Sequence, residues 1–147
     1  MKTLVVYDSK HGNTEKIAKM IGEATGGQVC HVGTVNPADL TGCDLLIVGS
    51  PTHGGFPTEN IVDMLKAALG PQGLRVAAFD TRTKTTVFGY AAPKIARRLE
   101  KNGGQLQVTP EGFLYAASKA HSWRANSNEP PGGHQRWCID GRRRIIT

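Results

Sequence analysis

A run of apolar character, Thr3-Leu4-Val5-Val6-Tyr7, gives way to Ser9-Lys10-His11-Gly12-Asn13-Thr14, which opens a stretch with apolar residues at Ile17, Met20, Ile21 and Ala24. The spacing predicts a strand, a tight polar loop and a helix. Free N–H groups at a helix start, with the positive end of its dipole, favour an anion, and a dianionic phosphate above all. The loop is not that of the nucleotide hydrolases, because no second glycine followed by Lys-Ser/Thr stands at the required spacing. Nor is it the G-x-G-x-x-G dinucleotide turn. Read without a ligand, the same residues make an ordinary strand-to-helix turn with Asn13 or Thr14 as the N-cap.

The pattern recurs. Asp44-Leu45-Leu46-Ile47-Val48 leads into Gly49-Ser50-Pro51-Thr52-His53-Gly54-Gly55-Phe56-Pro57-Thr58, and Leu74-Arg75-Val76-Ala77-Ala78-Phe79 leads into Asp80-Thr81-Arg82-Thr83-Lys84. In an open parallel sheet, ligands sit outside the carboxyl ends of the strands where strand order reverses, so the loops are expected to converge on one site. Between them the periodicity predicts a helix over 59–69, with Ile61, Leu65, Ala68 and Leu69 on one face and Gly70-Pro71 as its stop. A second helix is expected over 93–101, with proline in its first turn and Asn102-Gly103-Gly104 past its end. A strand over 28–32, an irregular connection over 36–42 and a last strand within 105–115, interrupted at Pro110, complete the alternation. It is an α/β pattern, with right-handed crossovers and a sheet covered on both faces. The chain has 147 residues, which suits one domain with a proper core, placed at 1–117.

The first loop resembles the phosphate loop of the flavodoxin family, Ser/Thr-x-Ser/Thr-Gly-x-Thr, with His11 in place of the middle hydroxyl. The resemblance extends over roughly 1–115. It implies a doubly wound, five-stranded parallel sheet of order 2-1-3-4-5 and FMN as the cofactor. On that resemblance Ser9, Lys10, His11, Gly12, Asn13 and Thr14 surround the phosphate: Ser9 and Thr14 give hydroxyls, Asn13 an amide, and Gly12 close backbone approach. Pro51, Thr52, His53, Gly54, Gly55 and Phe56 border one side of the flavin ring, and Asp80, Thr81, Arg82, Gly89 and Tyr90 the other. Phe56 and Tyr90 are the candidate flat faces; either reads equally as plain packing, and His53 as a surface histidine. Gly54-Gly55 suits a peptide that turns over beside the flavin, since glycine visits positive φ at low cost, or simply a tight loop.

The function implied is electron transfer, with FMN cycling between quinone, semiquinone and hydroquinone and no catalytic side chain. A reductase and an acceptor protein, both unidentified, are the implied partners. Typical flavodoxins crowd acidic residues about the flavin, whereas the third loop here has Arg82 and Lys84. Those cations are expected to favour the anionic reduced flavin and a partner other than a strongly basic reductase. Two alternatives remain: a small flavin-dependent oxidoreductase of quinone-reductase or porphyrin-precursor-oxidase type, and a non-catalytic phosphate- or flavin-binding module. A phosphorelay receiver needs an aspartate where Gly49-Ser50 stands, and a small tyrosine phosphatase needs Cys-x5-Arg, which neither Cys30 nor Cys43 starts.

The net charge is +6, but residues 1–115 contribute only +2 and the last stretch +4. Nucleic acid is therefore not an expected partner. The cysteines, Cys30, Cys43 and Cys138, form no C-x-x-C, which argues against zinc and a disulfide framework. No apolar stretch approaches membrane-spanning length, and the amino terminus enters a strand directly, so a cytoplasmic location is the default.

Residues 118–147 show no helical period where the family ends in a helix, and Pro130-Pro131-Gly132-Gly133 breaks them. Read one frame away, with each codon taking the third base of one residue and two of the next, residues 120–133 permit Pro-Leu-x-x-Gly-Glu-Leu-Glu-Arg-Ala-x-x-Trp. That is the order the family's last helix carries. The tail is accordingly read as an out-of-frame translation beginning near Ser118 to Ala120, against the plainer reading of a divergent extension. The coding DNA decides: third bases that spell this helix are expected, and third bases that do not would end the idea.

Overall fold

The computed structural model describes residues 1–67, 72–83 and 88–114, and the backbone of 136–139 and 142–145. In the unit Met1–Tyr115 the order is β1 (Thr3–Tyr7), α1 (Asn13–Thr25), β2 (Gln28–His31), a 3-10 turn at Val32–Thr34, α2 (Pro37–Thr41), β3 (Leu45–Pro51), α3 (Glu59–Ala67), β4 (Arg75–Arg82), α4 (Ala91–Lys101), β5 (Gln105–Leu106) and β6 (Glu111–Leu114). In the unit Ala116–Thr147, β7 (Arg136–Ile139) and β8 (Arg142–Ile145) pair antiparallel. The remainder of the irregular tail expected at 118–147, and the stop at Gly70-Pro71, lie outside the described residues.

The sheet is parallel and ordered β2-β1-β3-β4-β5, with β6 also on β4. Arg75 pairs with Gln105 at one end of β4 and Arg82 with Leu114 at the other, so β5 and β6 are two halves of a fifth strand. Pro110 has no N–H for the ladder, which accounts for the break. Two sequence expectations need correction. Residues 36–42 are not irregular: Pro37 starts α2, and Asn36 and Asp39 form a reciprocal capping box. The helix expected over 93–101 begins earlier, at Ala91.

Successive strand residues point to opposite faces, and both faces are buried. Leu4, Val6, Leu46, Val48, Val76 and Ala78 pack with Ile61 and Leu65 of α3 and Ile95 and Leu99 of α4. Val5, Ile47, Ala77 and Phe79 pack with Ile17, Ala18 and Ile21 of α1 on the other side. Each large side chain so buried contributes roughly 1.5–3 kcal/mol. Gly49 is required by this second layer, because a Cβ there would lie 2.0 Å from Cζ of Phe79.

One buried carboxylate joins the strand ends. Asp8, the residue after β1, is 5% exposed. It accepts the Ser9 N–H at 2.8 Å, the Thr58 hydroxyl at 2.7 Å and the Asn60 amide at 3.3 Å, and Nε2 of His31 lies 3.3 Å away. It thereby ties β1 to the end of β2 and to the start of α3. Burial pushes its pKa up, but the bonds from Thr58, Ser9 and Asn60 and the nearby His31 outweigh that and hold it below the ordinary 3.8. A carboxyl whose folded pKa is depressed contributes stability above its unfolded pKa and loses it as pH falls through the folded one. Urea-melt stability is therefore expected to decline below about pH 4, and Asp8→Asn to flatten that decline while lowering stability at neutral pH. An unchanged acid limb in the variant would contradict the role.

Candidate functional site

The strand register brings the loops level. Tyr7 pairs with Gly49, Gly49 with Phe79, and Ser50 with Asp80, so β1, β3 and β4 end level with one another and lead into residues 9–14, 52–58 and the segment after Arg82 at one edge of the sheet. Two of these segments start later than the sequence suggests. Gly49, Ser50 and Pro51 belong to β3, and Asp80, Thr81 and Arg82 to β4, because the ladder continues through Ser50–Asp80 and Pro51–Thr81.

In the first loop the helix is not capped by Asn13 or Thr14. Gly12 is the N-cap, with φ 84° and no side-chain cap bond, a left-handed conformation that L side chains avoid. Its own N–H donates to Oγ of Ser9 at 3.0 Å. The amides of the first turn of α1 thus keep their donor capacity, and the space where a Cβ of Gly12 would stand is open to 4 Å. Thr14 and Thr81 are both buried, and their hydroxyl oxygens lie 2.8 Å apart. Only one proton is used between two hydroxyls, so the pair holds a spare donor beneath the loop. Lys10 and His11 are exposed.

The second loop is a two-residue turn. The N–H of His53 donates to the carbonyl of Phe56 at 2.9 Å and that of Phe56 to His53 at 3.0 Å, while Gly54 and Gly55 lie at φ 56° and 85°. Positive φ at both central positions is the condition of a type I′ turn. Its base is anchored: the Thr58 N–H donates to Oγ of Ser50 at 3.0 Å, the Thr52 N–H to the Thr81 carbonyl at 2.9 Å, and the Ala91 N–H to Oγ1 of Thr52 at 3.0 Å. Gly55 admits no side chain, since its Cβ would come within 2.6 Å of the Phe88 carbonyl oxygen. Burial, then repulsion from Lys10 and His11, lowers the pKa of His53 below 6.5, with Asp8 opposing. The first and second loops therefore share one electrostatic environment.

The third segment departs from expectation. Asp80 is fully buried and accepts a fork from Arg82, Nε at 2.5 Å and an Nη at 2.7 Å, together with the Ala92 N–H at 2.8 Å. Arg82 also lies 3.6 Å over the Tyr90 ring, and the absence of a Cβ at Gly112 makes room for the guanidinium. Arg82 is thus a compensated charge and not the free cation expected beside a flavin; Lys84 lies outside the described residues. Gly89 stands at φ 86°, next to Tyr90.

Sequence reasoning missed Lys94. Its Nζ donates to the carbonyls of Gly55 and, at 3.1 Å, of Phe88, and lies 3.7 Å over the Phe56 ring. Each candidate flat face, Phe56 and Tyr90, therefore carries a cation on one side. Phe56 is 57% exposed.

These residues suit a group with a phosphate at one end and a flat heterocycle at the other. Uncapped amides, a spare buried hydroxyl proton, the Lys10 ammonium and the imidazoles of His11 and His53 as donors meet an anion, and a Gly-Gly turn with aromatic neighbours meets a ring. Among the described residues no group of His, Cys, Asp and Glu is arranged to hold a metal ion. Cys43 is buried, and burial raises its thiol pKa, so it is an inert core residue.

Comparison with known proteins agrees. The family model described as Flavodoxin matches residues 5–123. A flavodoxin of Aquifex aeolicus (strain VF5) is 38% identical over 75 residues, covering 47% of this chain and 40% of the relative; the match thus spans well under two thirds of that relative's length. A flavodoxin from the domain Archaea superposes with TM-score 0.72 at 27% identity, covering 78% of this chain and 84% of that one. Flavodoxin 2 of Bacillus cereus gives 0.70 at 25%, covering 82% and 88%. The sheet order and the family match together place the chain in the flavodoxin family, whose cofactor, FMN, is also that of this protein.

Proposed function

We propose that this chain is an electron carrier that holds FMN at the edge where β1, β3 and β4 end, and exchanges electrons one at a time with a reductase and an acceptor protein. The observation that carries the reading is the convergence of an uncapped helix start with a Gly-Gly turn and two ring-bearing segments at that edge. FMN supplies the redox chemistry when bound, and the protein supplies binding, orientation and electrostatics.

Residues 9–14 take the phosphate: amides at the start of α1, the Ser9 and Thr14 hydroxyls and the Asn13 amide are the donors, and Lys10 and His11 the nearby charge. Pro51 ends the strand from which Thr52, His53, Gly54, Gly55 and Phe56 reach one side of the ring. Thr81, Gly89 and Tyr90 define the other. Asp80 and Arg82 act one step back, by fixing the start of α4 and the Tyr90 ring. Gly54 and Gly55 let the turn take positive φ without strain where it would border the ring. No helix among the described residues is long and apolar enough to cross a membrane. The out-of-frame origin of the tail belongs to the same proposal, supported by its permitted codons.

Titration with FMN is expected to quench flavin fluorescence to a one-to-one end point. Riboflavin, which lacks the phosphate, should bind about a hundredfold more weakly, the worth of one or two charge-assisted hydrogen bonds. Equal affinity for the two, or no quenching by either, would refute the phosphate assignment. In the same titration the imidazole of His53, followed by NMR, should move to a higher pKa on FMN binding, because a dianion offsets Lys10 and His11. By linkage, FMN binding then strengthens as pH falls through that pKa.

A further inference from the structure

One charged side chain adds to the Ala91–Thr52 bond that joins the segment after β3 to the start of α4. Lys94 projects from α4, and its Nζ donates to the carbonyls of Gly55 and Phe88 while lying over the Phe56 ring. The position of a Cβ on Gly89 would be 3.8 Å from the same atom. One ammonium thus gathers the turn after β3 and the segment before α4. The charges around it are accounted for: Arg82 is neutralised by Asp80, Asp8 by its own donors and His31, and among the described residues no carboxylate pairs with Lys94. Its charge is met only by carbonyl dipoles and a ring face, which hold a cation without cancelling it.

We infer that Lys94 is the positioning residue that clamps the two ring loops of the FMN site together, and that its uncancelled charge raises the reduction potential of the bound flavin. This rests on the flavin site proposed above and moves the electrostatic role from Arg82 to a residue on the helix. The clamp acts through two carbonyls. The first belongs to Gly55, in a turn with positive φ at two consecutive residues, closed at its tip by the His53–Phe56 pair. The second belongs to Phe88, which also walls off the Cβ position of Gly55. Removing the ammonium releases both peptides together. A fixed cation near the flavin also favours whichever cofactor state carries more negative charge, and reduction adds that charge.

The test compares Lys94→Met, Lys94→Gln and Lys94→Arg with the parent protein. In the flavin-free proteins, amide hydrogen exchange at Gly55, Phe56, Gly89 and Tyr90 is expected to quicken about tenfold in Lys94→Met, with exchange in β1 and β3 unchanged. In the FMN-loaded proteins, Lys94→Met and Lys94→Gln are expected to weaken the preference for reduced over oxidised flavin about tenfold. For a one-electron step that is a potential lower by about 59 mV. Lys94→Arg should retain the parent potential, since it retains the charge. Failure of the parent to bind FMN would count against the flavin reading itself. An FMN-loaded Lys94→Met with unchanged loop exchange would overturn the clamp, and an unchanged potential would overturn the charge. Quickened exchange throughout β1 and β3 in Lys94→Met would show a merely structural residue and overturn the clamp, and a parent potential in Lys94→Gln would overturn the charge.

Discussion

The level register of three parallel strands is the constraint on which the site depends. Tyr7, Gly49 and Phe79 stand side by side across β1, β3 and β4, and a parallel ladder allows no gradual adjustment: a slip of one residue sends every side chain to the opposite face. Because both faces of these strands are buried, such a slip exchanges two packed layers at once. The close fit of Gly49 to the Phe79 ring adds a steric stop at the last position before the loops diverge. The functional loops are therefore placed by core packing, and their own contacts only refine them.

That refinement is made by polar groups buried at the strand ends. Asp8 and Asp80 each occupy a place where an unpaired carboxylate would be costly, and each is satisfied by donors from other segments. Asp8 draws in the start of α3 through Thr58 and Asn60, and Asp80 the start of α4 through Ala92. The consequence for the site is electrostatic. Both carboxylates are spent on internal partners, while Lys10 is exposed in the first loop and, among the described residues, no carboxylate pairs with Lys94 at the second. A site for an anionic cofactor follows from a division of labour between buried anions and accessible cations.

Much of this was legible in the sequence, where period decides. The strand over 3–7 and the helix that follows were legible because apolar residues recur at strand and helix spacing without interruption, and Pro110 marked the break in the fifth strand. The short helix at Pro37–Thr41 was hidden by its length, although Asn36, Pro37 and Asp39 carry the signals of a helix start. Arg82 was misread because 80–84 looked like loop; residues two apart in a strand share a face, which sets Arg82 beside Asp80. In the tail, Asp140-Gly141 between two four-residue runs is a hairpin signal passed over in favour of the Pro-Pro-Gly-Gly break. Lys94 was illegible for a different reason. A lysine on an amphipathic helix reads as solvated, and only the fold brings the Gly55 carbonyl of the turn after β3 and the Phe88 carbonyl before α4 to its ammonium.

A crystal structure of the FMN complex tests the central claim most directly. The phosphate is predicted among the amides of residues 9–14, with the ring between the 52–56 turn and the 88–90 segment. A flavin bound elsewhere on the chain, or a phosphate with no contact to the start of α1, would contradict it.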